Sequence, residues 1–354
     1  MLPIMRPCLS RLSISLSRPI VLSTHRNSST ANTFYSEVLS KFPAQRCIVF
    51  AYGSGVFRQE GHKDTKDNMT DFIFAVHDTE LWHKENLAKH PNHYSTMAKL
   101  MGPAAIRNCQ EEWGARLYFN TLVPWGKGMI KYGVISRRDL LNDLKELETL
   151  YVAGRLHKPV NIIEQEEDME LKEALRTNLN YATHAALLLL PEKFREEELF
   201  LTVAGLSYTG DFRMVVGEDR NKVANIVRPQ MDRFRELYKG RLLEVTPHLH
   251  ISHGGDCVQD MSSEGRVGHL TRLPSGIRDK VLAMHTNNKN NMQVEEVLLH
   301  PDCSQAVAKA VGQVVAGVDK SQAAKGILTA GGKKAVIYSW AKVQKMVKSW
   351  RRDK

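Results

Sequence analysis

Long apolar runs and paired cysteines are both missing from this 354-residue sequence. A membrane-spanning helix needs about 20 consecutive apolar residues, whereas no run is longer than that of residues 185–190, which is followed directly by Pro191. The five cysteines are scattered and form no CxxC pair, which is typical of reduced thiols and gives no zinc signal. The sequence therefore predicts neither a transmembrane helix nor a disulfide framework.

Acidic residues are absent from residues 1–30 and almost absent from residues 331–354. These two ends contribute +4 and +7 to the formal net charge of +10, so the rest of the chain is close to neutral. A broad nucleic-acid-binding face would place basic residues across the folded body. The charge distribution therefore argues against a nucleic-acid partner.

Residues 1–30 have the composition of a mitochondrial transit peptide. Four arginines stand among Ser, Leu and Ile, and the first acid is Glu37, which is the pattern of such peptides. The continuous apolar core of a secretory signal is missing. The alternative is a disordered tail whose composition is accidental.

Apolar patterning predicts an α+β fold, beginning with a mixed sheet. Strands are expected at residues 46–52, 70–77, 115–123 and 128–136, and helices at 81–90 and 138–152. Beyond Pro159 the pattern changes to helices at 171–190, 196–204 and 231–238, with a hairpin formed by 211–216 and 223–227. This order is compatible with a mainly helical, winged-helix-like domain.

The remaining C-terminal region has weaker signals. Residues 247–295 are rich in His, Gly, Ser and Asn and are predicted to form extended surface structure, while residues 302–318 are predicted to be helical. His248, His250 and His253 are interpreted as loop histidines, with zinc a remote alternative. The predicted organisation is a transit peptide at 1–30, a sheet domain at 31–160, a helical domain at 161–245, a region of uncertain structure at 246–330 and a basic helix at 331–354.

The informative constellation is a strand, then Gly53-Ser54-Gly55, a polar loop, and a second strand that carries Asp71. Small residues after a strand let backbone N–H groups approach triphosphate oxygens, and a carboxylate on the adjacent strand can hold Mg²⁺. This is the layout of the nucleotidyltransferase superfamily, although Ile73 stands where a second acid is usual. Asp67 and Asp211 are candidates for that acid. The alternative is an ordinary turn, with Asp71 capping a strand.

Several longer blocks resemble the mitochondrial phosphatidate cytidylyltransferase family, also described as translocator assembly and maintenance proteins. The blocks follow the family order from about Cys47 to Tyr238 and include YGSGVFRQEG, MTDFIFAVHDTELWHKENL, FNTLVPWGKGMIKYGVIS, LYVAGRLHKPV and SYTGDFRMVVGED. The resemblance implies a nucleotidyltransferase domain, a second domain resembling a winged helix, Mg²⁺ dependence and peripheral attachment to the matrix side of the mitochondrial inner membrane.

The resemblance also implies a reaction, in which CTP and phosphatidate give CDP-diacylglycerol and pyrophosphate for cardiolipin and phosphatidylglycerol synthesis. On this hypothesis the catalytic residues are Asp71, Lys131 and Asp211, with Mg²⁺ held by Asp71 and Asp211. The nucleotide would be bound by Gly53, Ser54, Gly55, Tyr132, Arg213 and Lys222. The alternatives are a solvated strand-edge role for Lys131, and surface ion pairs with Asp219 or Glu218 for Arg213 and Lys222.

The basic C-terminus carries an apolar stripe at helical spacing: Val336, Trp340, Val343, Val347 and Trp350. Tryptophan on the apolar side and basic flanks suit a helix lying in an anionic membrane interface, so anionic inner-membrane lipids are expected to bind residues 333–354. The alternative is an amphipathic helix packed on the body. A homo-oligomer is left open by the sequence, as are a non-catalytic assembly factor for an inner-membrane protein translocase and a nucleotidyltransferase acting on another acceptor.

Overall fold

The computed structural model describes residues 29–57, 69–126, 128–211, 221–245, 247–286 and 302–330. Several sequence predictions lie outside these residues: the transit peptide up to residue 28, the basic helix at 333–354, the strand after residue 211, Asp67 and Arg213. Within the described residues, no helix is long and apolar enough to cross a membrane.

Five strands form a mixed sheet, as the sequence predicts for an α+β fold. In chain order they are β1 Arg46–Tyr52, β2 Thr70–Val76, β3 Leu117–Trp125, β4 Gly128–Ser136 and β5 Asn161–Gln165. The spatial order is β3-β4-β2-β1-β5, in which β2 and β4 are parallel and the other pairs are antiparallel. Continuous β-branched and aromatic runs explain why the strands are buried on both faces.

The two faces of the sheet support separate clusters of buried side chains. One face carries Phe50 and Ile73 into the main core, and the other carries Phe72 and Phe74. Register pairs Tyr52 with Asp71 and Asp71 with Lys131. Because paired residues share a face and successive residues alternate, Tyr52, Asp71 and Lys131 lie on the main-core face.

The second face is covered by the helices α1 Ser29–Lys41 and α2 Thr79–Lys89. Helix α3, Thr96–Glu112, packs on α2 and is kinked at Gly102 (φ +79°), directly before Pro103. Proline cannot continue the helical hydrogen bonds of the preceding turn, which accounts for the kink.

On the main-core face, helix α4 spans Arg137–Glu146 and the short α5 spans Ala153–Leu156. The prediction of one helix through residue 152 is wrong, since the chain leaves the helix at Leu147 (φ +50°). The buried Asp143 carboxylate then accepts hydrogen bonds from the backbone N–H groups of Thr149, Leu150, Val152 and Ala153. That carboxylate organises the connection leading into α5.

The second region begins with α6 Met169–Leu189, β6 Lys193–Arg195 and α7 Glu196–Gly205, followed by a 3₁₀ turn at Leu206–Tyr208. It continues with α8 Lys222–Val227, α9 Met231–Glu244 and the hairpin β7 Leu249–Ile251 and β8 Asp256–Gln259. The three strands are ordered β6-β8-β7. The predicted strand at 223–227 is therefore wrong, because these residues form α8. The winged-helix interpretation and the domain limits stay predictions.

The prediction of extended structure over residues 247–295 is wrong for residues 263–271 and 275–286, which are helical, and residues 287–295 lie outside the described residues. Helix α10 spans Ser263–Thr271 and α11 spans Ser275–Thr286. The last helix among the described residues, α12, spans Cys303–Ala330 and is longer than predicted. It returns to the first sheet, where the Gln322 side chain accepts a hydrogen bond from the backbone N–H of Ala115 (2.9 Å) and donates one to the carbonyl of Leu117 (3.2 Å). One core therefore runs through both regions.

Candidate active site

The glycine turn after β1 is held closely against β2. Gly53 has φ +84°, and its carbonyl accepts hydrogen bonds from the backbone N–H groups of Val56 (3.1 Å) and Phe57 (3.0 Å). A Cβ on Gly53 would lie 3.4 Å from Asp71 Oδ2, and one on Gly55 would lie 2.6 Å from the Met69 carbonyl oxygen. Both the left-handed backbone and the close approach therefore require glycine. The turn and Asp71 are direct neighbours.

Asp71 and Lys131 form a loose ion pair on the two central strands. The Asp71 Oδ1 to Lys131 Nζ distance is 3.7 Å, and the two side chains are 23% and 13% exposed. Lys131 Nζ also lies 4.2 Å from the centroid of the Phe119 ring, in cation–π range. The alternative of a solvated strand-edge lysine is wrong, because β4 lies between β3 and β2.

Asp71 has the properties that a Mg²⁺ ligand requires. Its Oδ1 atom is buried and accepts no hydrogen bond, since Lys131 Nζ lies 3.7 Å away, beyond hydrogen-bond distance. This oxygen can therefore also bind a cation. Protein-bound Mg²⁺ commonly uses one or two carboxylates together with substrate phosphates and water. The residues present thus fit a metal ion shared with a bound nucleotide.

Position 73, where a second acid is usual, is occupied by an apolar side chain of the main core. Ile73 is fully buried, and its Cδ1 atom would lie 2.9 Å from a Cβ on Gly133. Asp211 lies just after the 3₁₀ turn, is 3% exposed, and donates its backbone N–H to the Tyr208 carbonyl (3.2 Å). Within the described residues, no group of three or more His, Cys, Asp or Glu side chains could hold a metal ion.

Tyr132 does not join Asp71 and Lys131, which corrects its predicted nucleotide-binding position. Its side chain is fully buried on the second face of the sheet. The hydroxyl accepts hydrogen bonds from Asn86 Nδ2 and Asn120 Nδ2 (both 2.9 Å) and lies 3.0 Å from His93 Nδ1. Asn86 also donates to the Tyr94 hydroxyl, 2.9 Å from His83 Nδ1. These groups form a buried polar network beneath the sheet.

Positive side chains that sequence reasoning missed lie on and after α5. Arg155 stacks over the Tyr52 and Tyr151 rings, with its Cζ atom 5.3 Å and 3.9 Å from their centroids. Burial raises the pKa of the Tyr52 hydroxyl, and the neighbouring charges that act on that pKa are Arg155, Asp71 and Lys131. The charges of Arg155, Asp71 and Lys131 therefore all lie around the Tyr52 side chain.

Lys158 joins this group from the next turn of chain. It is half-buried, and its Nζ atom donates hydrogen bonds to the Gly154 carbonyl and to Ser207 Oγ (2.9 Å). The Tyr208 ring lies 5.1 Å from Lys158 Nζ and 5.9 Å from Lys222 Nζ, which places the predicted Lys222 beside Lys158. The LYVAGRLHKPV block contains Arg155 and Lys158, but their spacing in the sequence does not show that they lie together beside the site.

The chain is similar to known proteins along most of its length. The family described as "Phosphatidate cytidylyltransferase, mitochondrial" matches residues 35–345. Proteins of that name from Xenopus laevis and Caenorhabditis elegans are 46% and 38% identical over 326 and 322 residues. These alignments cover 90% and 89% of this chain and 96% and 99% of the relatives.

A solved structure of a nucleotidyltransferase-like protein from Exiguobacterium sibiricum is also similar, at 11% identity and a TM-score of 0.23. It covers 84% of this chain and 76% of its own. That structural similarity is too weak to support a conclusion about the fold or the site. The family match covers residues 35–345, a range that extends over both regions and spans the positions of the glycine turn, Asp71, Lys131, Arg155 and Lys158. The chain belongs to the mitochondrial phosphatidate cytidylyltransferase family.

Proposed function

We propose that this chain transfers the cytidylyl group of CTP to phosphatidate, giving CDP-diacylglycerol and pyrophosphate. The observation that carries the proposal is the Gly53–Gly55 turn against Asp71, with Lys131 paired to that carboxylate. Family membership supports the same two substrates, because the relatives are named for them. The site combines a backbone turn suited to phosphates with one negative and one positive side chain.

In the proposed reaction, an oxygen of the phosphatidate phosphate attacks the α-phosphorus of CTP. A new phosphorus–oxygen bond forms, the bond to the α,β-bridging oxygen breaks, and pyrophosphate leaves with that electron pair. The attacking oxygen is already ionised at neutral pH, so no strong general base is required. Catalysis then depends on positioning and on offsetting negative charge, as in phosphoryl transfer.

The proposed roles follow from where the residues lie. Backbone N–H groups of residues 53–55 and the Ser54 hydroxyl would bind the triphosphate, and Lys131 would offset charge at the α-phosphate. Asp71 would hold Mg²⁺, with Asp211 as the proposed second acid. Mg²⁺ supplies charge neutralisation on the phosphate oxygens when bound. Arg213 and Lys222 would add positive charge from the second region.

The location of the enzyme is a further part of the proposal. The substrate is a membrane lipid, so the protein must reach a bilayer, and the basic apolar stripe at 333–354 suits an anionic membrane interface. We infer peripheral attachment to the matrix side of the inner membrane after import directed by residues 1–30. The product would then enter cardiolipin and phosphatidylglycerol synthesis.

The test is to incubate the purified chain with labelled CTP, Mg²⁺ and phosphatidate-containing liposomes. Asp71→Asn is the test variant, and Asp232→Asn is the matched control because that carboxylate is 95% exposed. We expect labelled CDP-diacylglycerol from the wild type and the control. Turnover should fall at least about 100-fold in Asp71→Asn, with unchanged thermal unfolding.

Two outcomes would contradict the proposal. Full activity of Asp71→Asn would show that this carboxylate is not needed for the reaction. Absence of labelled product from folded wild-type protein that binds the liposomes would favour an assembly factor, or a transferase with another acceptor.

A further inference from the structure

Three positive side chains converge where the first region meets the second. Arg155 and Lys158 lie on or directly after α5, and Lys222 opens α8. Lys158 and Lys222 both face the Tyr208 ring, at 5.1 Å and 5.9 Å from its centroid. The three cations are thus held by aromatic faces and backbone groups contributed by both regions.

Lys158 is the cation whose charged form this arrangement disfavours. Its partners, the Gly154 carbonyl and Ser207 Oγ, are neutral. Burial, together with the positive charges of Arg155 and Lys222, lowers the pKa of Lys158 to about 7. A half-buried lysine beside two other cations is unfavourable for folding unless an anion joins it, because like charges repel and burial removes hydration.

The same place is adjacent to the proposed active site. Arg155 stacks on Tyr52, which pairs in register with Asp71 on β2. Gly154 packs so tightly on the 3₁₀ turn that a Cβ there would lie 2.3 Å from Ser207 Cβ. The cations therefore lie at a closed contact between the two regions, near the carboxylate proposed to bind the metal.

We propose that Arg155, Lys158 and Lys222 form a binding site for a phosphate group, completed by Tyr208 and Ser207. The proposal rests on the proposed function in one respect: the phosphate would belong either to the CTP triphosphate or to the phosphatidate head group. Both are multiply charged phosphates, and both must lie near Asp71. Arg155 supplies planar donors and Lys158 a compact ammonium group, which together suit phosphate oxygens.

The experiment compares the full-length wild type with Lys158→Met, which keeps an unbranched side chain of similar length and removes its charge. Lys239→Met is the control, because Lys239 is exposed on α9. Calorimetry with inorganic pyrophosphate measures anion binding without turnover. Steady-state rates with CTP varied, and then with phosphatidate in liposomes varied, distinguish the two sources of phosphate.

We expect Lys158→Met to weaken pyrophosphate binding or to raise one of the two KM values at least about tenfold. A rise for CTP assigns the site to the triphosphate, and a rise for phosphatidate assigns it to the lipid. The melting temperature of Lys158→Met should equal or exceed that of the wild type, because a desolvated charge has been removed. Lys222→Met, at the start of α8, should weaken the binding of the same ligand.

The proposal is overturned if both Lys158→Met and Lys222→Met leave pyrophosphate binding and both KM values unchanged. A lower melting temperature with unchanged KM values in Lys158→Met would also overturn it, since the lysine would then be structural. If the wild type forms no CDP-diacylglycerol, the proposed function fails. Pyrophosphate binding would still decide whether the three cations form an anion site.

Discussion

Substitution of Gly154 by alanine tests whether the two regions must meet closely for activity. The added Cβ would lie 2.3 Å from Ser207 Cβ and 3.1 Å from Ser207 Oγ. Since carbon atoms normally rest about 3.5 Å apart or more, α5 and the 3₁₀ turn would separate by about 1.2 Å. Such overpacking costs about 1–3 kcal/mol of unfolding free energy. A displacement of about 1 Å at reacting groups can cost about 100-fold in rate.

The measurement is a double-mutant cycle of Gly154→Ala with Ser207→Gly. Removal of Ser207 Cβ and Oγ leaves Ser207 Cα as the nearest of the contacts, at 3.5 Å, which is ordinary packing. Ser207→Gly alone also removes a hydrogen-bond acceptor from Lys158, so the double variant is compared with that single variant. We expect kcat/KM for CDP-diacylglycerol formation to recover relative to Gly154→Ala, with a coupling energy above about 1 kcal/mol.

Gly205→Ala provides the control, because a Cβ there meets nothing within 4 Å and alanine favours a helix. It should retain full activity and equal or greater stability. The reasoning is refuted if Gly154→Ala keeps wild-type kcat/KM, or if the losses of the two single variants simply add in the double variant.

Three further predictions concern the turn, the buried network and acid stability. Gly55→Ala should lower kcat/KM, because its Cβ would meet the Met69 carbonyl at 2.6 Å and push the turn from β2; unchanged kinetics would contradict this. Tyr132→Phe should lower the unfolding free energy by about 1–3 kcal/mol, because Asn86 and Asn120 lose their acceptor. Urea unfolding measures that loss of stability. If the folded variant also lost a large fraction of its kcat, Tyr132 would have a role in the active site. Burial lowers the pKa of His83 to about 4 and of His157 to about 3. The unfolded chain therefore binds more protons below about pH 6.5, and stability should fall as pH drops from 6.5 toward 3. Urea midpoints that do not change between pH 7 and pH 5 would contradict it.

Local signals were sufficient for four of the five strands of the first sheet and for the closeness of the glycine turn to Asp71. The four strands that the sequence predicts before Pro159 are observed, because runs such as RCIVFAY are long, apolar and ended by glycine. The Gly53 turn and Asp71 are neighbours because β1 and β2 are antiparallel, so the end of β1 lies beside the start of β2. Lys131 follows from its place on β4, directly beside Asp71 in register.

Other parts depend on contacts that no local pattern encodes. The end of α4 at Leu147 requires a left-handed leucine, which is stabilised by a connection that Asp143 organises. Residues 223–227 are β-branched in part, yet they form α8 packed on α7. Lys158 stands before a proline in the sequence, and only the fold brings it to Ser207 and Tyr208. Tyr132 was misplaced because adjacency to Lys131 in sequence means opposite faces of a strand.

Helix α12 has a consequence for the order in which the chain can complete its fold. Strand β3 is an edge of the sheet, and the backbone groups of Ala115 and Leu117 are bonded by Gln322, more than 200 residues later. Lys325, also from α12, donates to the carbonyls of Gln110 and Trp113 at the end of α3. During synthesis the contacts at this edge cannot form until almost the entire polypeptide has been made. Contacts of such long range also form slowly. A truncation meant to remove only residues 331–354 must therefore keep Gln322 and Lys325, because a cut before Gln322 would uncover this edge of the first sheet.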